Sequence, residues 1–179
     1  MEVTPTYAYV YSRPLWMIFA AMAVLFIGWA AAAAILRRQS FTARSRWRLV
    51  NVIVLLAALL IIIFGTLLAR EGRERCIIWQ LGSMFRTYGV SEEAWRLLIM
   101  NCLLFFPLGL ALPNVLPHGM PPAWRIVLTM IVCFLLSSVL EQLQHHFSLG
   151  VTELDDIVCN TLGGFAASLH TIVWGRREK

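Results

Sequence analysis

Charge is scarce in this sequence. Only 14% of its 179 residues are Asp, Glu, Lys or Arg, and lysine occurs once, at Lys179. With 59% hydrophobic residues and a mean hydropathy of +0.72, the chain lacks the polar surface that a water-soluble domain of this length needs. Paired cysteines are missing too. Cys76, Cys102, Cys133 and Cys159 stand far apart with no CxxC, which suggests neither a disulfide framework nor a zinc site. There is no Gly-rich phosphate loop, no GxSxG and no HEXXH, so no ready-made nucleotide, serine-hydrolase or zinc-peptidase motif is present. No cofactor or metal is expected. Apart from AAAAA at 30–34 there is no low-complexity segment and no repeat.

Long uncharged runs fill the space that charge leaves. Residues 14–36 give 23 positions, 49–69 give 21 and 97–117 give 21. At about 1.5 Å per residue each reaches the roughly 30 Å of a hydrocarbon core. Two runs are shorter. Residues 126–140 give only 15, too few to cross, so that helix is expected to continue through Glu141 to about Gln144. Residues 157–174 give 18 and place Asp156 at the lip of the next helix. The predicted fold is all-α, a polytopic transmembrane bundle of about five spans.

Fourteen arginines give most of the net charge of +5. In a soluble chain that balance would suggest nucleic acid; here Arg-rich cytoplasmic loops explain it, and no nucleic-acid partner is expected. Arg37, Arg38, Arg44, Arg46, Arg48, Arg125, Arg176, Arg177 and Lys179 fall on one face. Arg13, Arg70, Arg73, Arg75, Arg86 and Arg96 fall on the other. The first set is larger, which predicts the N-terminus outside and the C-terminus in the cytoplasm. The strong positive cluster after the first run favours a retained span over a cleaved signal peptide. Residues 76–88 place Ile77, Ile78, Leu81, Met84 and Phe85 at helical spacing, as an interfacial helix would. Trp16, Trp47, Trp95, Trp124 and Trp174 lie near span ends, as membrane anchors do. PNVLPHGMPP (113–122) reads as a proline-rich turn, and Pro107 as a mid-span proline.

The stretch EQLQHHFSLGVTELDD (141–156) then stands out, because it sets ionisable groups between two apolar runs. With the topology above, Asn101, Ser137, Glu141, Gln144, Asp156 and Asn160 come to one depth from three helices. Ser137, Glu141 and His145 are successive i, i+4 positions, with Ser138 and Gln144 beside them. Asp156 and Asn160 share a face with Gly163, Gly164 and Ala167, small residues that let helices approach closely in membranes. These positions define a candidate polar pocket at the outer face. The plainer alternatives are that Glu141 snorkels and that Asp155 or Asp156 caps the fifth helix. Capping accounts for an aspartate but not for Glu141, which sits inside the span at a cost of about 2.5–3.5 kcal/mol near mid-membrane. A metal held by Glu141, His145, His146 and Asp156 is the less favoured reading. His170 is most simply a helix C-terminal histidine.

NCLLFFPLG (101–109), SSVLEQLQ (137–144) and DDIVCNTLGG (155–164) together resemble the VanZ-like family of bacterial membrane proteins, and MFRTYG (84–89) is similar to the segment before its Asn helix. The resemblance marks Asn101, Pro107, Gly109, Ser137, Glu141, Gln144, Asp156, Asn160 and Gly163. It divides the chain into residues 1–48, an added helix with an Arg-rich loop, and residues 49–179, the VanZ-like membrane domain. One departure from the family is Leu149-Gly150 in place of Gly-Arg, so that if the family's Arg is a counter-ion to the carboxylates or a binder of an anionic ligand, this chain lacks it; Glu153 replaces an Asp. The resemblance implies a bacterial inner-membrane location and a role in low-level resistance to teicoplanin, a lipid-tailed glycopeptide. Two functions stay open on the residues: binding of an envelope lipid, glycan or glycopeptide, and an intramembrane enzyme using Glu141 and Asp156 as an acid/base pair on an envelope lipid carrier. Expected partners are membrane lipids and, because a five-helix bundle is thin, a second copy of the chain.

Overall fold

The computed structural model describes residues 15–36, 42–68, 76–117, 119–149 and 151–175. Arg13, Arg37, Arg38, Arg70, Arg73, Arg75, Arg176, Arg177 and Lys179 of the charge argument lie outside them, as do the side chains of Trp16, Arg44, Cys76 and Trp174. In chain order the elements are α1 (Leu15–Leu36), α2 (Thr42–Ile63) prolonged by a π turn (Phe64–Leu68), β1 (Cys76–Ile78), α3 (Ser83–Tyr88), α4 (Glu92–Val115), α5 (Pro122–His146), β2 (Val151–Glu153), α6 (Leu154–Ser168) and α7 (His170–Gly175). The architecture is the all-α bundle that hydropathy predicts.

Among the described residues three helices are long and apolar enough to cross a membrane: Ser45–Leu68, Ala94–Val115 and Pro122–His146. The first helix, with 22 residues, matches its uncharged run. The last span of the sequence reading is broken. α6 has 15 residues, about 22 Å. The chain tightens at Leu169, whose N–H bonds Ala166 O at 3.4 Å, and resumes as α7. Ser168 contributes to the break: its hydroxyl donates to Phe165 O at 2.7 Å, competing with the helix for that carbonyl.

Local chemistry sets the other boundaries. Ser91 caps α4 by accepting Ala94 N–H on its hydroxyl at 3.3 Å, and Glu92 adds a carboxylate where the dipole favours one. α4 then runs through both Pro107 and Pro113 to Val115. Pro113 and Asn114 are therefore helical, not part of the turn; the connector begins at Leu116. Proline removes one N–H from the ladder but leaves the neighbouring bonds, and packed neighbours hold the helix. α5 starts with Pro122 at N1, as the fixed φ of proline favours, and runs through Glu141 to His146, as the span-length argument requires.

Residues 76–88 differ from the single interfacial helix expected. Only α3 is helical. Cys76–Ile78 instead pair in parallel with Val151–Glu153, Ile77 opposite Thr152. Periodicity over so few residues cannot separate a strand and turn from a helix, and the partner strand lies 75 positions away.

α4 and α6 make the most extensive contact, followed by α5 with α6 and α2 with α4. Three glycines explain why. A Cβ added at Gly109 would lie 2.2 Å from Gly164 O, one at Gly163 would lie 1.9 Å from Cys102 O, and one at Gly164 would lie 2.3 Å from the Cys133 sulfur. Backbone touches backbone there, as small-residue stripes permit in membranes. Phe105, Leu108, Cys133, Ala58, Ile62 and Leu140 form one core cluster; Trp29, Val54, Leu110, Ala111 and Ala167 form another. The outward faces of α2 and α5 expose Ile53, Leu56, Leu60, Ile131, Phe134, Leu135 and Val139, a surface suited to lipid.

Candidate functional site

The two ends of the bundle differ. The cap end carries β1, β2, α3 and the start of α6. There the polar residues singled out in the sequence form pairs between helices. Asn101 Nδ2 on α4 donates to Asp156 Oδ1 on α6. Asn160, one turn further along α6, donates from Nδ2 to Ser137 Oγ on α5 at 2.9 Å. Glu141, one turn further along α5, is buried and accepts Glu153 N–H on Oε2 at 3.3 Å, while its backbone carbonyl accepts the Thr152 hydroxyl at 3.3 Å. Asp156 and Asn160, like Ser137 and Glu141, are i, i+4 neighbours, so these separate bonds stand in succession from α4 through α6 to α5 and onto β2.

Gln144 belongs to the same end but serves a different contact. Its Nε2 donates to Thr66 O at 3.1 Å, inside the π turn of α2. A π turn displaces the helical ladder and exposes a carbonyl, and Gln144 supplies the missing donor. Ser138, read as adjoining the cluster, instead bonds back to Phe134 O at 2.8 Å and stays out of it. His145 is partly buried, and its Nδ1 has no hydrogen-bond partner. The Asn160 Oδ1 is likewise buried without one. A buried acceptor in that state costs about 1–3 kcal/mol, so a donor brought to it would be favoured.

Asp155 does not cap its own helix, contrary to the plain reading of the acidic run. The N-cap of α6 is Glu153, which makes no side-chain cap bond. Asp155 reaches across to the 76–91 segment instead. Its Oδ1 accepts Gly82 N–H at 2.7 Å and its Oδ2 accepts the Ser83 hydroxyl at 3.0 Å. Gly82 holds φ 79, a left-handed conformation that glycine adopts without strain, and this turns its N–H toward the carboxylate. After α5, Ser148 at φ 57 reverses the chain so that Leu149 N–H bonds Gln144 O at 2.8 Å. That turn delivers β2 to β1.

The opposite end holds a second polar network that the sequence reading missed. Asn51, fully buried on α2, accepts the Trp29 indole N–H at 2.9 Å and donates to Trp47 O at 2.7 Å. Asn114 Nδ2 lies 3.1 Å from Asn51 Oδ1, 2.7 Å from Leu110 O and 3.2 Å from His170 Nε2. Its two hydrogens are thus shared among three acceptors. His170 Nδ1 meets Ala167 O at 2.7 Å. A carbonyl only accepts, so Nδ1 carries the hydrogen and Nε2 takes one from Asn114. His170 also packs edge-on against Trp29, with centroids 5.4 Å apart. It is a bundle-joining residue rather than a simple C-terminal histidine. The signal available in sequence was an asparagine in each of two apolar runs. Trp47 belongs to this network through its carbonyl and its ring, 5.6 Å from that of Trp29, whereas Trp95 and Trp124 are exposed as anchors would be.

Among the described residues no group of three His, Cys, Asp or Glu could hold a metal ion. Apolar helices joined by buried polar pairs and glycine contacts define a helical membrane protein. The VanZ/LLP1 family profile matches residues 15–175, and the chain belongs to that family. The match takes in α1, which joins the bundle through Trp29. Protein VanZ of Enterococcus faecium is 36% identical over 72 residues, covering 40% of this chain and 41% of that protein. The chain therefore aligns with less than half the length of this curated relative. No solved structure matches significantly.

Proposed function

We propose that this protein is a multi-pass bacterial inner-membrane protein whose cap end faces the outside and forms a pocket there. The pocket binds the polar headgroup of an envelope lipid or glycan, and so reduces access of a lipid-tailed glycopeptide such as teicoplanin. One observation carries the reading: Asn101 with Asp156, Asn160 with Ser137, and Glu141 with the Glu153 N–H form hydrogen bonds side by side across three helices at the cap end. Intramembrane acids are expensive and are held where they serve a ligand or a path. The unpartnered Asn160 oxygen favours a ligand that brings a hydroxyl or N–H donor. Kinship with Protein VanZ, and the glycopeptide role that the resemblance implies, support the envelope setting.

The test is to express Glu141→Gln and Asp156→Asn at the level of the unaltered protein and measure glycopeptide susceptibility and lipid binding. Glu141→Gln keeps an acceptor for Glu153 N–H, so the fold should hold while the charge is lost. Each variant is expected to lose the protection conferred by the unaltered chain. Unchanged susceptibility and unchanged binding in both would sink the proposal.

A further inference from the structure

Two cysteines lie on the touching faces of α4 and α6, beside the polar pairs. Cys102 follows Asn101 on α4, and Cys159 precedes Asn160 on α6. Asp156, three residues before Cys159, accepts from Asn101, and Gly163, one turn after Cys159, packs on the Cys102 backbone, so Cys159 lies on the face of α6 that meets α4 at Cys102. Both are free thiols, Cys102 half-buried and Cys159 buried. The helices that carry them are as close as two helices can come. One turn beyond Cys159, a Cβ at Gly163 would lie 2.8 Å from the Cys102 Cα. A disulfide needs Cα atoms about 4.4–6.8 Å apart with side chains facing each other. Backbone contact between the two helices at Cys102 supplies the closeness that such a separation asks for. Cys133 offers a contrast. It is fully buried, with its sulfur packed against Gly164, so neither a reagent nor a second thiol reaches it first.

We propose that Cys102 and Cys159 are a reversible redox pair that locks α4 to α6, oxidised by thiol–disulfide exchange with an exogenous disulfide. This inference stands apart from the ligand reading and needs no ligand. Exchange begins at Cys102, the more accessible sulfur. Its thiolate, after losing a proton, attacks one sulfur of the incoming disulfide, breaks that S–S bond and forms a mixed disulfide. The first leaving thiolate takes up a proton. Cys159, deprotonated in turn, attacks the Cys102 sulfur, forms the internal bond and expels the second thiolate, which also takes up a proton. Two electrons pass from the chain to the exogenous disulfide, which leaves as two thiols. The lock falls beside Asn101–Asp156, so oxidation fixes the spacing of that hydrogen-bonded pair between α4 and α6.

The experiment uses the full chain with Cys76→Ser, purified in detergent and treated with 4,4′-dithiodipyridine. Two thiopyridone equivalents per chain are expected, with a final mass lighter by two hydrogens and no retained adduct. Cyanogen bromide should then give residues 101–120 joined to residues 131–179, because Met100, Met120 and Met130 flank them. Dithiothreitol should separate the two. With Cys159→Ser added, one equivalent is expected and the pyridyl adduct should persist on Cys102. A persistent Cys102 adduct in the chain that keeps Cys159 would overturn the proposal. So would linkage between chains, linkage that survives Cys159→Ser, or no reaction where the unfolded chain reacts. If Cys76→Ser fails to fold, the fragment map of the unaltered chain answers the same question.

Discussion

At the scale of single residues, the molecule places polar side chains where each has one interhelical task. Ser137 and Asn160 show how little is spare. Both are buried, and the Asn160 amide spends its donor on the Ser137 hydroxyl. Ser137→Ala should therefore destabilise the protein by about 1–3 kcal/mol, the cost of a buried polar group left without its partner. Asn160→Leu combined with Ser137→Ala should cost less than the sum of the two single changes, because the second removes the group that the first orphaned. Thermal unfolding in detergent measures all three. Strict additivity would mean that the bond contributes nothing. These positions were legible in the sequence because polar residues in apolar runs are rare. Which atom meets which was not, since Asn101 reaches 55 positions along the chain and Asn160 only 23.

At the scale of elements, the α4–α6 crossing is the rigid joint. Gly109→Ala or Gly163→Ala would drive a methyl into backbone atoms, which cannot yield as a flexible side chain would. Either change should abolish or severely reduce folded protein. Gly28→Ala is the control, because a Cβ there meets nothing within 4 Å. In mid-helix it should be neutral or stabilising by about 0.5–1 kcal/mol. Yield and thermal stability of the three variants check this. The 76–91 segment is a second joint, held by Asp155. Asp155→Ala should speed amide exchange at Gly82 and along α3 by roughly ten- to a hundred-fold, as loss of hydrogen bonds to a charged group implies, while exchange in mid-α4 stays unchanged. Hydropathy read the helices well, including the extension of α5 through Glu141. It failed on residues 76–88 and on Pro113–Asn114, where pairing with distant β2 and packing inside the bundle override local preference. The acidic run misled in the same way: in sequence Asp155 is simply first-turn acid, and only the fold brings Gly82 beneath it.

At the scale of the whole molecule, polar networks at both ends bracket a layer of glycine, cysteine and aromatic packing. The proposed orientation makes a direct prediction. With the native cysteines replaced, a single cysteine at Val90, exposed at the cap end, should react with a membrane-impermeant reagent in intact cells. One at Gly119, exposed between α4 and α5, should react only after permeabilisation. The reverse pattern would place the cap end in the cytoplasm and remove the physical basis for glycopeptide protection. The short strand pair has a consequence that holds in either orientation. β1 precedes α4 and β2 follows α5, so their pairing is a covalent-chain parity check. In the proposed multi-pass arrangement it closes only when the chain between them has crossed the bilayer an even number of times. A nascent chain whose α4 or α5 stalls on the surface leaves β1 and β2 on opposite sides, with Asp155 out of reach of Gly82. Completion of this small sheet would therefore report, late in biogenesis, that neither α4 nor α5 has gone in without the other.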